Sequence, residues 1–179
     1  IYLKHDIFTF DNFIVGNSNK FAYTAARAIA ADPGGQINRE HGIANYNSLF
    51  IYGNSGLGKT HLLKAIVNEV KDNYPKMKVL YVKSEDFLNE FMAVLSNKKT
   101  EEFREKYRNI DVFLVDDIQY IAGKEATEWE FFHTFNALVD NGKQVVLTSD
   151  RPPKDIKSII DRLRNRFESG LIVDIQIPE

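Results

Sequence analysis

Residues 53–60 carry the residue types and the spacing that bind phosphate groups. Their sequence, GNSGLGKT, fits the pattern G-x-x-x-x-G-K-[ST], in which glycines let the backbone curl and point its N–H groups at an anion. The lysine of this pattern reaches the outer phosphates of a nucleotide, and the threonine hydroxyl holds Mg²⁺. A glycine-rich turn that binds nothing is the alternative. We therefore predict a site for ATP or ADP with Mg²⁺, with contacts from Gly53, Gly56, Gly58, Lys59 and Thr60.

A pair of carboxylates follows a later apolar run. Residues 112–115 are Val-Phe-Leu-Val, and Asp116 and Asp117 come directly after them. The carboxyl ends of parallel strands meet at the edge where open α/β sheets bind ligands. Asp116 would support the magnesium shell together with Thr60, and Asp117 would orient or activate an attacking water. A strand that ends in a solvated turn is the alternative, and the phosphate-binding segment upstream favours the functional interpretation.

Two further groups of polar residues are candidates for the same chemistry. Residues 147–150, Leu-Thr-Ser-Asp, end another apolar run, so a polar side chain there can sense the outer phosphate or the water, or can cap a turn before two prolines. Arg162 and Arg166 lie four residues apart and share one helix face. An arginine of this kind neutralises charge on the nucleotide of a neighbouring subunit in some ATPases. Cations are also simply favourable in a last helical turn.

Alternating strands and helices would position these residues. Five short apolar runs predict strands. Between them, apolar residues with helical periodicity predict helices that begin near Lys59, Ser84, Thr100 and Thr127. A last helix is predicted around Ile159. Ser84 and Thr100 are predicted caps, and Thr127 with Glu130 is predicted to form a capping box. Phe21, Ala25 and Ile29 predict an earlier helix, and the polar stretch 36–46 predicts a loop. The pattern is that of an α/β fold with three layers and a mostly parallel sheet. The predicted strands are 48–52, 79–83, 112–116, 144–149 and 171–177.

Composition excludes several classes of protein. The 179 residues include no cysteine, which excludes disulfides and thiolate metal sites, and the net charge of −2 opposes retention on duplex DNA by bulk charge. The four histidines lack the spacing of metal ligands, and the aromatic residues from 129 to 135 favour a core over a base-stacking platform. No apolar run approaches the ~20 residues of a membrane span, and the N-terminus lacks a secretory pattern. We expect a single-domain cytoplasmic fragment.

Several linked motifs occur along the chain. They are FDNFIVGNSN at 10–19, the phosphate segment with His61, VDDIQ at 115–119, AGKE at 122–125, EFFHTFN at 130–136, SDRPPK at 149–154, and DRL at 161–163 followed by RFE at 166–168. Together these motifs resemble the bacterial replication initiator DnaA family. The resemblance implies the AAA+ type of P-loop NTPase, with a five-stranded sheet in the order 5-1-4-3-2. Residues 1–47 would hold an N-terminal helix, an adenine-side segment and an inserted loop at 33–46, and residues 48–179 would form the sheet domain.

The resemblance also implies roles for individual residues. Asp150 would be the sensor 1 residue, and Arg166, with Arg162 beside it, the arginine finger that reaches a neighbouring protomer. Ile14, Val15 and Gly16 would contact adenine. Residues 53–60, with Asp116 and Asp117, would contact the phosphates and the metal. Lys124 and Met92 would contact single-stranded DNA.

The helices at 85–108 correspond to the family's initiator-specific motif, which helps grip single-stranded DNA. Without the resemblance, the five basic and three acidic residues between 98 and 108 would indicate a solvated helical face. Ala126 stands where relatives often carry arginine, which predicts a weak grip.

The function implied is an ATP-dependent switch that assembles on origin DNA and opens its strands, with slow hydrolysis of Mg-ATP. Expected partners are other copies of the protein, single-stranded origin DNA, replication regulators and the helicase. Two other functions use the same phosphate-binding segment. One is a helicase loader or regulatory relative that uses the domain as an adaptor, and the other is a small-molecule or nucleoside kinase.

Overall fold

The computed structural model describes residues 8–42 and 47–178, and five strands in them form one parallel sheet. The strands are β1 Ser48–Tyr52, β2 Val79–Lys83, β3 Val112–Asp116, β4 Gln144–Ser149 and β5 Leu171–Asp174. Their order across the sheet is β2-β3-β4-β1-β5. The strands are near-continuously apolar because helices cover both faces of the sheet. This confirms the predicted α/β fold, including the strand order.

Seven α-helices accompany the sheet in the described part of the chain. They are α1 Lys20–Ala31, α2 Gln36–Glu40, α3 Lys59–Asn73, α4 Ser84–Ser96, α5 Thr100–Arg108, α6 Glu125–Asp140 and α7 Asp161–Glu168. Alternate strand residues face different layers. Leu49 and Ile51 of β1 pack with α1 and α3, whereas Phe50 between them packs with helices of the opposite layer. This period-2 alternation buries both faces of a short strand.

The stretch predicted as a loop at 36–46 begins with a helix instead. Asp32 accepts hydrogen bonds from the backbone N–H groups of Ile37 and Asn38, both at 3.1 Å, and these bonds stabilise the first turn of α2. A helix of five residues is too short to show a periodic pattern, so no helical signal could be recognised there from the sequence. Residues 43–46 lie outside the described part of the chain.

The predicted capping box at Thr127 is wrong. The helix α6 begins two residues earlier, at Glu125, and Thr127 is buried within it. Glu130 does not reach back to the backbone but accepts hydrogen bonds from Arg104 and Arg108 of α5. Burial therefore determines the position of Thr127, and ion pairs with α5 determine the position of Glu130.

Smaller corrections concern the ends of other elements. Ser84 and Thr100 are the first residues of their helices and make no side-chain cap bond. Strand β5 ends at Asp174 rather than 177, because the N–H of Gln176 donates to the carbonyl of Ser18 instead of continuing the strand.

Phe21 is exposed, and the buried face of α1 consists of Ala22, Ala26, Ile29 and Ala30. The helix α7 begins at Asp161, after the predicted Ile159 and Ile160.

Candidate nucleotide and magnesium site

The phosphate-binding segment lies between β1 and the N-terminus of α3. Gly56 and Gly58 have φ angles of 82° and 97°, which residues with a Cβ rarely adopt. A Cβ at Gly58 would also lie 2.9 Å from Cε2 of Phe13. The helix begins at Lys59, so its first N–H groups and the positive end of its dipole face the loop. The local backbone is therefore that of an anion site.

Lys59 is held within this loop. Its side chain is buried, and Nζ donates hydrogen bonds to the carbonyl oxygens of Gly53 and, at 2.8 Å, Asn54. Burial lowers the pKa of Lys59, and the negative charges of Asp117, Asp116 and Asp150 partly offset this effect. The ammonium is thus a partly desolvated cation in the field of three carboxylates, and its low solvent exposure strengthens its attraction for a phosphate group.

Asp116 lies at the centre of a cluster of hydroxyl groups. Only 2% of this residue is exposed, and its Oδ2 accepts hydrogen bonds from Thr60 at 2.5 Å and from Tyr81 at 2.7 Å. Its Oδ1 accepts a third from Thr148 at 2.5 Å. The structure thereby brings together the two predicted magnesium ligands, Thr60 and Asp116, which come from different elements.

The donor set suits Mg²⁺, which prefers oxygen ligands and is usually bound by one or two carboxylates together with substrate phosphates. Across residues 8–42 and 47–178, no group of three or more histidine, cysteine or acidic side chains could hold a metal by itself. A hydroxyl and a carboxylate beside a phosphate-binding loop are the partial set that such a shared site needs.

Asp117 occupies a strained backbone position directly after β3. Its φ of 57° lies in the left-handed region, which an aspartate adopts at a cost. The backbone N–H donates to the Thr148 hydroxyl at 2.9 Å, and the carbonyl accepts from the Ser84 hydroxyl. Burial, with the charge of Asp116, raises the pKa of Asp117. These contacts hold the backbone turn after β3, and the charge of Asp116 acts on the Asp117 carboxylate.

Asp150 lies at the end of β4, where its side chain pairs with Arg151 at 2.8 and 2.9 Å. The hydrogen bond from Arg151 is the main reason why the pKa of Asp150 lies below its ordinary value. Its backbone N–H donates to Gln119 at 3.3 Å. The charge of Asp150 also acts on Lys59 and Asp117, so this predicted residue belongs to the same electrostatic cluster.

The predicted adenine-side residues form an exposed strip anchored by Phe13. The Phe13 ring is buried, stacks with Tyr23 and makes an edge contact with His61 of α3. Ile14 and Val15 are 89% and 46% exposed. The adjoining cleft of about 320 Å³ is lined by Gly16, Asn17, Ser18, Gln176, Ile177 and Pro178. The strip therefore presents apolar side chains beside a cleft, next to the phosphate-binding helix.

The two predicted arginines lie on α7 and contact α6. Arg166 donates to Asp140 at 3.0 Å and lies over the Phe135 ring, while Arg162 lies over the Trp129 ring. Within the described chain, no hydrogen bond or ion pair links either arginine to residues 53–60. Both guanidinium groups instead contact side chains of α6.

The predicted DNA contacts share one surface cleft. Met92 of α4 and Lys124, just before α6, line a cavity of about 350 Å³. Its other lining residues are Leu88, Asn89, Glu125, Ala126 and Thr127. Met92 is half exposed. The fold thus brings together two residues that are 32 positions apart in the sequence.

Tyr81 and Thr148 were not predicted as site residues. Thr148 belonged to the polar group at the end of the fourth apolar run, but nothing in the sequence distinguished it from Ser149 or Asp150. Tyr81 lies within an apolar strand and carried no signal.

Comparison with known proteins gives a consistent result. The family model described as "Bacterial DnaA ATPAse domain" matches residues 4–174. The chromosomal replication initiator protein DnaA of Nautilia profundicola is 58% identical over 172 residues, which cover 96% of this chain and 37% of that protein. The crystal structure of domain III from the Thermotoga maritima DnaA protein is 46% identical, with a TM-score of 0.88, and the match covers 96% of this chain and 68% of that one. A replication initiator DnaA bound to AMPPCP and single-stranded DNA is 40% identical, with a TM-score of 0.87, 96% of this chain covered and 50% of that one.

More distant structures share the fold alone. The DnaC helicase loader is 14% identical with a TM-score of 0.74, over 96% of this chain and 97% of that one. The chain spans little more than a third of the length of the curated relatives that it matches.

Proposed function

The chain belongs to the bacterial DnaA ATPase domain family, and we propose that it is the nucleotide-binding core of a replication initiator. It would bind ATP or ADP with Mg²⁺ and switch between assembled and dissociated states. The observation that carries this proposal is the hydrogen bond of 2.5 Å between Thr60 and Asp116, beside the phosphate-binding loop. It joins the two motifs that a P-loop NTPase needs for a metal–nucleotide complex.

In this proposal the loop and the start of α3 bind the phosphates. The backbone N–H groups at Gly56 and Gly58 face the anion, and Lys59 exchanges a loop carbonyl for an outer phosphate oxygen. Thr60 and Asp116 would hold the magnesium. When bound, Mg²⁺ would neutralise negative charge that develops on the phosphates during transfer.

Hydrolysis would depend on Asp117 and Asp150. Asp117 would orient the attacking water, and Asp150 would report whether the outer phosphate is present. Because its pKa is raised, Asp117 would accept a proton near neutral pH more readily than an ordinary aspartate. Slow turnover suits a switch, because ATP must persist while the assembly forms. Ile14, Val15 and Gly16 would wall the adenine.

Self-association would use the α7 surface. Arg166 would act as the arginine finger for the nucleotide of an adjacent copy, with Arg162 beside it. Its position on α7 without contact to its own phosphate-binding loop supports action in trans. Asp140 is exposed and Arg166 is half-buried, so solvent screens their ion pair and Arg166 could leave it when a neighbour presents the triphosphate. Replication regulators and the helicase would engage the assembled form.

Single-stranded DNA would bind at the cleft that Met92 and Lys124 share. The related structure that holds AMPPCP with single-stranded DNA supports this part of the proposal. The net charge of −2 and Ala126 in the cleft lining favour a weak contact that falls with added salt. Identity of 58% to an initiator, against 14% to a helicase loader, favours the initiator over the adaptor function.

Nucleotide binding tests the proposal directly. Lys59→Ala removes the cation of the loop, so the affinity for ATP in calorimetry should fall by at least tenfold, since charge-assisted hydrogen bonds are the strong ones. Lys76→Ala, in the turn that follows α3, is the matched control and should leave the affinity unchanged. Equal ATP affinity of wild type and a folded Lys59→Ala protein would reject the site.

A further inference from the structure

Both strands that flank β3 donate a hydroxyl group to Asp116. The sheet order places β2 and β4 on either side of β3. From β2, Tyr81 donates to Oδ2 at 2.7 Å, and from β4, Thr148 donates to Oδ1 at 2.5 Å. The carboxylate is therefore held at both oxygens by the sheet itself, independently of the phosphate-binding loop.

Three hydroxyl donors leave one acceptor position of Asp116 within the described residues. A carboxylate offers about four acceptor positions, and Tyr81, Thr148 and Thr60 use three of them. The remaining position is on Oδ1, which accepts from Thr148. It would be available to the magnesium shell while Tyr81 and Thr148 keep their hydrogen bonds to the carboxylate.

We propose that Tyr81 and Thr148 are positioning residues for the magnesium site, which fix the orientation of Asp116 so that metal binding requires no rearrangement. The inference rests on the proposed function, because it assigns residues to the same site. Groups that orient a ligand in this way commonly contribute 10- to 100-fold to metal affinity. Thr60 is itself a metal ligand in the proposal, so Tyr81 and Thr148 are the donors whose roles do not change when the ion binds.

Thr148 has a second role that Tyr81 lacks. Its hydroxyl oxygen accepts the backbone N–H of Asp117 at 2.9 Å while its proton goes to Asp116. One fully buried hydroxyl thereby sets both the carboxylate of Asp116 and the left-handed backbone of Asp117. Loss of Thr148 should disturb hydrolysis as well as magnesium binding, whereas loss of the Tyr81 hydroxyl should act on magnesium alone.

The test separates magnesium affinity from nucleotide affinity. Affinity for a fluorescent ADP is measured in EDTA, and Mg²⁺ is then titrated into the ADP complex of wild type, Tyr81→Phe and Thr148→Val. We expect ADP affinity in EDTA to stay within about twofold, and magnesium affinity to fall on the order of tenfold in each variant. Tyr74→Phe, whose hydroxyl donates to Ala31 away from the site, is the matched control. Thr148→Ser keeps the hydroxyl and should restore magnesium affinity.

Each outcome is decisive. Magnesium affinity within twofold of wild type in Tyr81→Phe and Thr148→Val would overturn the inference, as would an equal loss of ADP affinity in EDTA, because that marks a general structural effect. Thr148→Ser behaving like Thr148→Val would also count against it. If the wild-type chain itself binds no nucleotide, the proposed function fails, and this result is distinct from any difference between variants.

Discussion

The ion pair between α5 and α6 offers a quantitative test of how the helical layer is held together. Glu130 on α6 is buried, with 3% of its side chain exposed, and its two oxygens share the single Nε–H of Arg104 at 3.0 and 3.3 Å. Another hydrogen bond comes from the terminal nitrogen Nη2 of Arg104 at 3.1 Å, and one more from Arg108 at 3.3 Å. Glu130→Gln keeps the shape but removes the charge that both arginines face.

The size of the effect follows from the exposure of the partners. Breaking a buried pair costs about 3–5 kcal/mol, and an exposed pair about 0–1 kcal/mol. Here the acceptor is buried, whereas the arginine side chains are 45% and 34% exposed, so solvent screens much of the loss. We expect the free energy of unfolding to fall by about 2 kcal/mol, between these limits. For a chain of this size that corresponds to a melting temperature lower by roughly 4–8 °C.

Thermal unfolding followed by circular dichroism, with urea titration for the free energy, measures this loss. Lys106→Gln is the matched control. Lys106 lies on α5, like the two arginines, and forms an ion pair with Glu90 in which the side chains are 51% and 36% exposed. It should change stability by no more than about 0.5 kcal/mol. A Glu130→Gln protein that melts within 1 °C of wild type would show that the arginines are fully satisfied by water, and the reasoning from burial would fail.

Three further predictions concern the site and the pH dependence of the fold. Asp117→Asn should leave ATP binding intact and slow hydrolysis by at least tenfold in a phosphate-release assay. The physical reason is that the amide cannot accept a proton from the water. Hydrolysis at the wild-type rate would show that Asp117 does not have this role. Arg166→Ala should spare ATP binding by the monomer and abolish ATP-dependent self-association in sedimentation, and association that survives would return Arg166 to an ordinary surface role. Burial pushes the pKa of Asp111 upwards, but hydrogen bonds from Lys143 and a backbone N–H hold the pKa below its ordinary value. Its stabilisation is therefore fully present above the ordinary aspartate pKa of about 4 and lost as the pH falls through the lower folded pKa. Asp111→Asn should lower the melting temperature at pH 7 and have less effect near pH 3, whereas an equal effect at both values would contradict the linkage.

Secondary structure was largely predictable because its signals are local. Four strands have the predicted bounds, since a short apolar run between turn residues needs no distant partner to be recognised. The phosphate-binding segment was equally clear, because its glycines, lysine and threonine act through a single stretch of backbone. Local signals failed where burial competed with them. Thr127 and Glu130 have the spacing of a capping box, but Thr127 is buried inside α6 and Glu130 binds arginines of α5.

The sequence by itself determined which chemical groups are present and which elements carry them, and only the tertiary structure decided which groups meet. Asp116 could be assigned to the end of a strand, but its donors Tyr81 and Thr148 come from the two neighbouring strands, 35 and 32 positions away in the chain. Such contacts depend on strand order and register, which arise from the packing of the whole sheet. The same holds for Asp140 and Arg166, which meet because α6 and α7 pack together. Hydrogen bonds and ion pairs act over about 3 Å, so a pattern read along one chain cannot specify them until the fold has brought distant residues within that range.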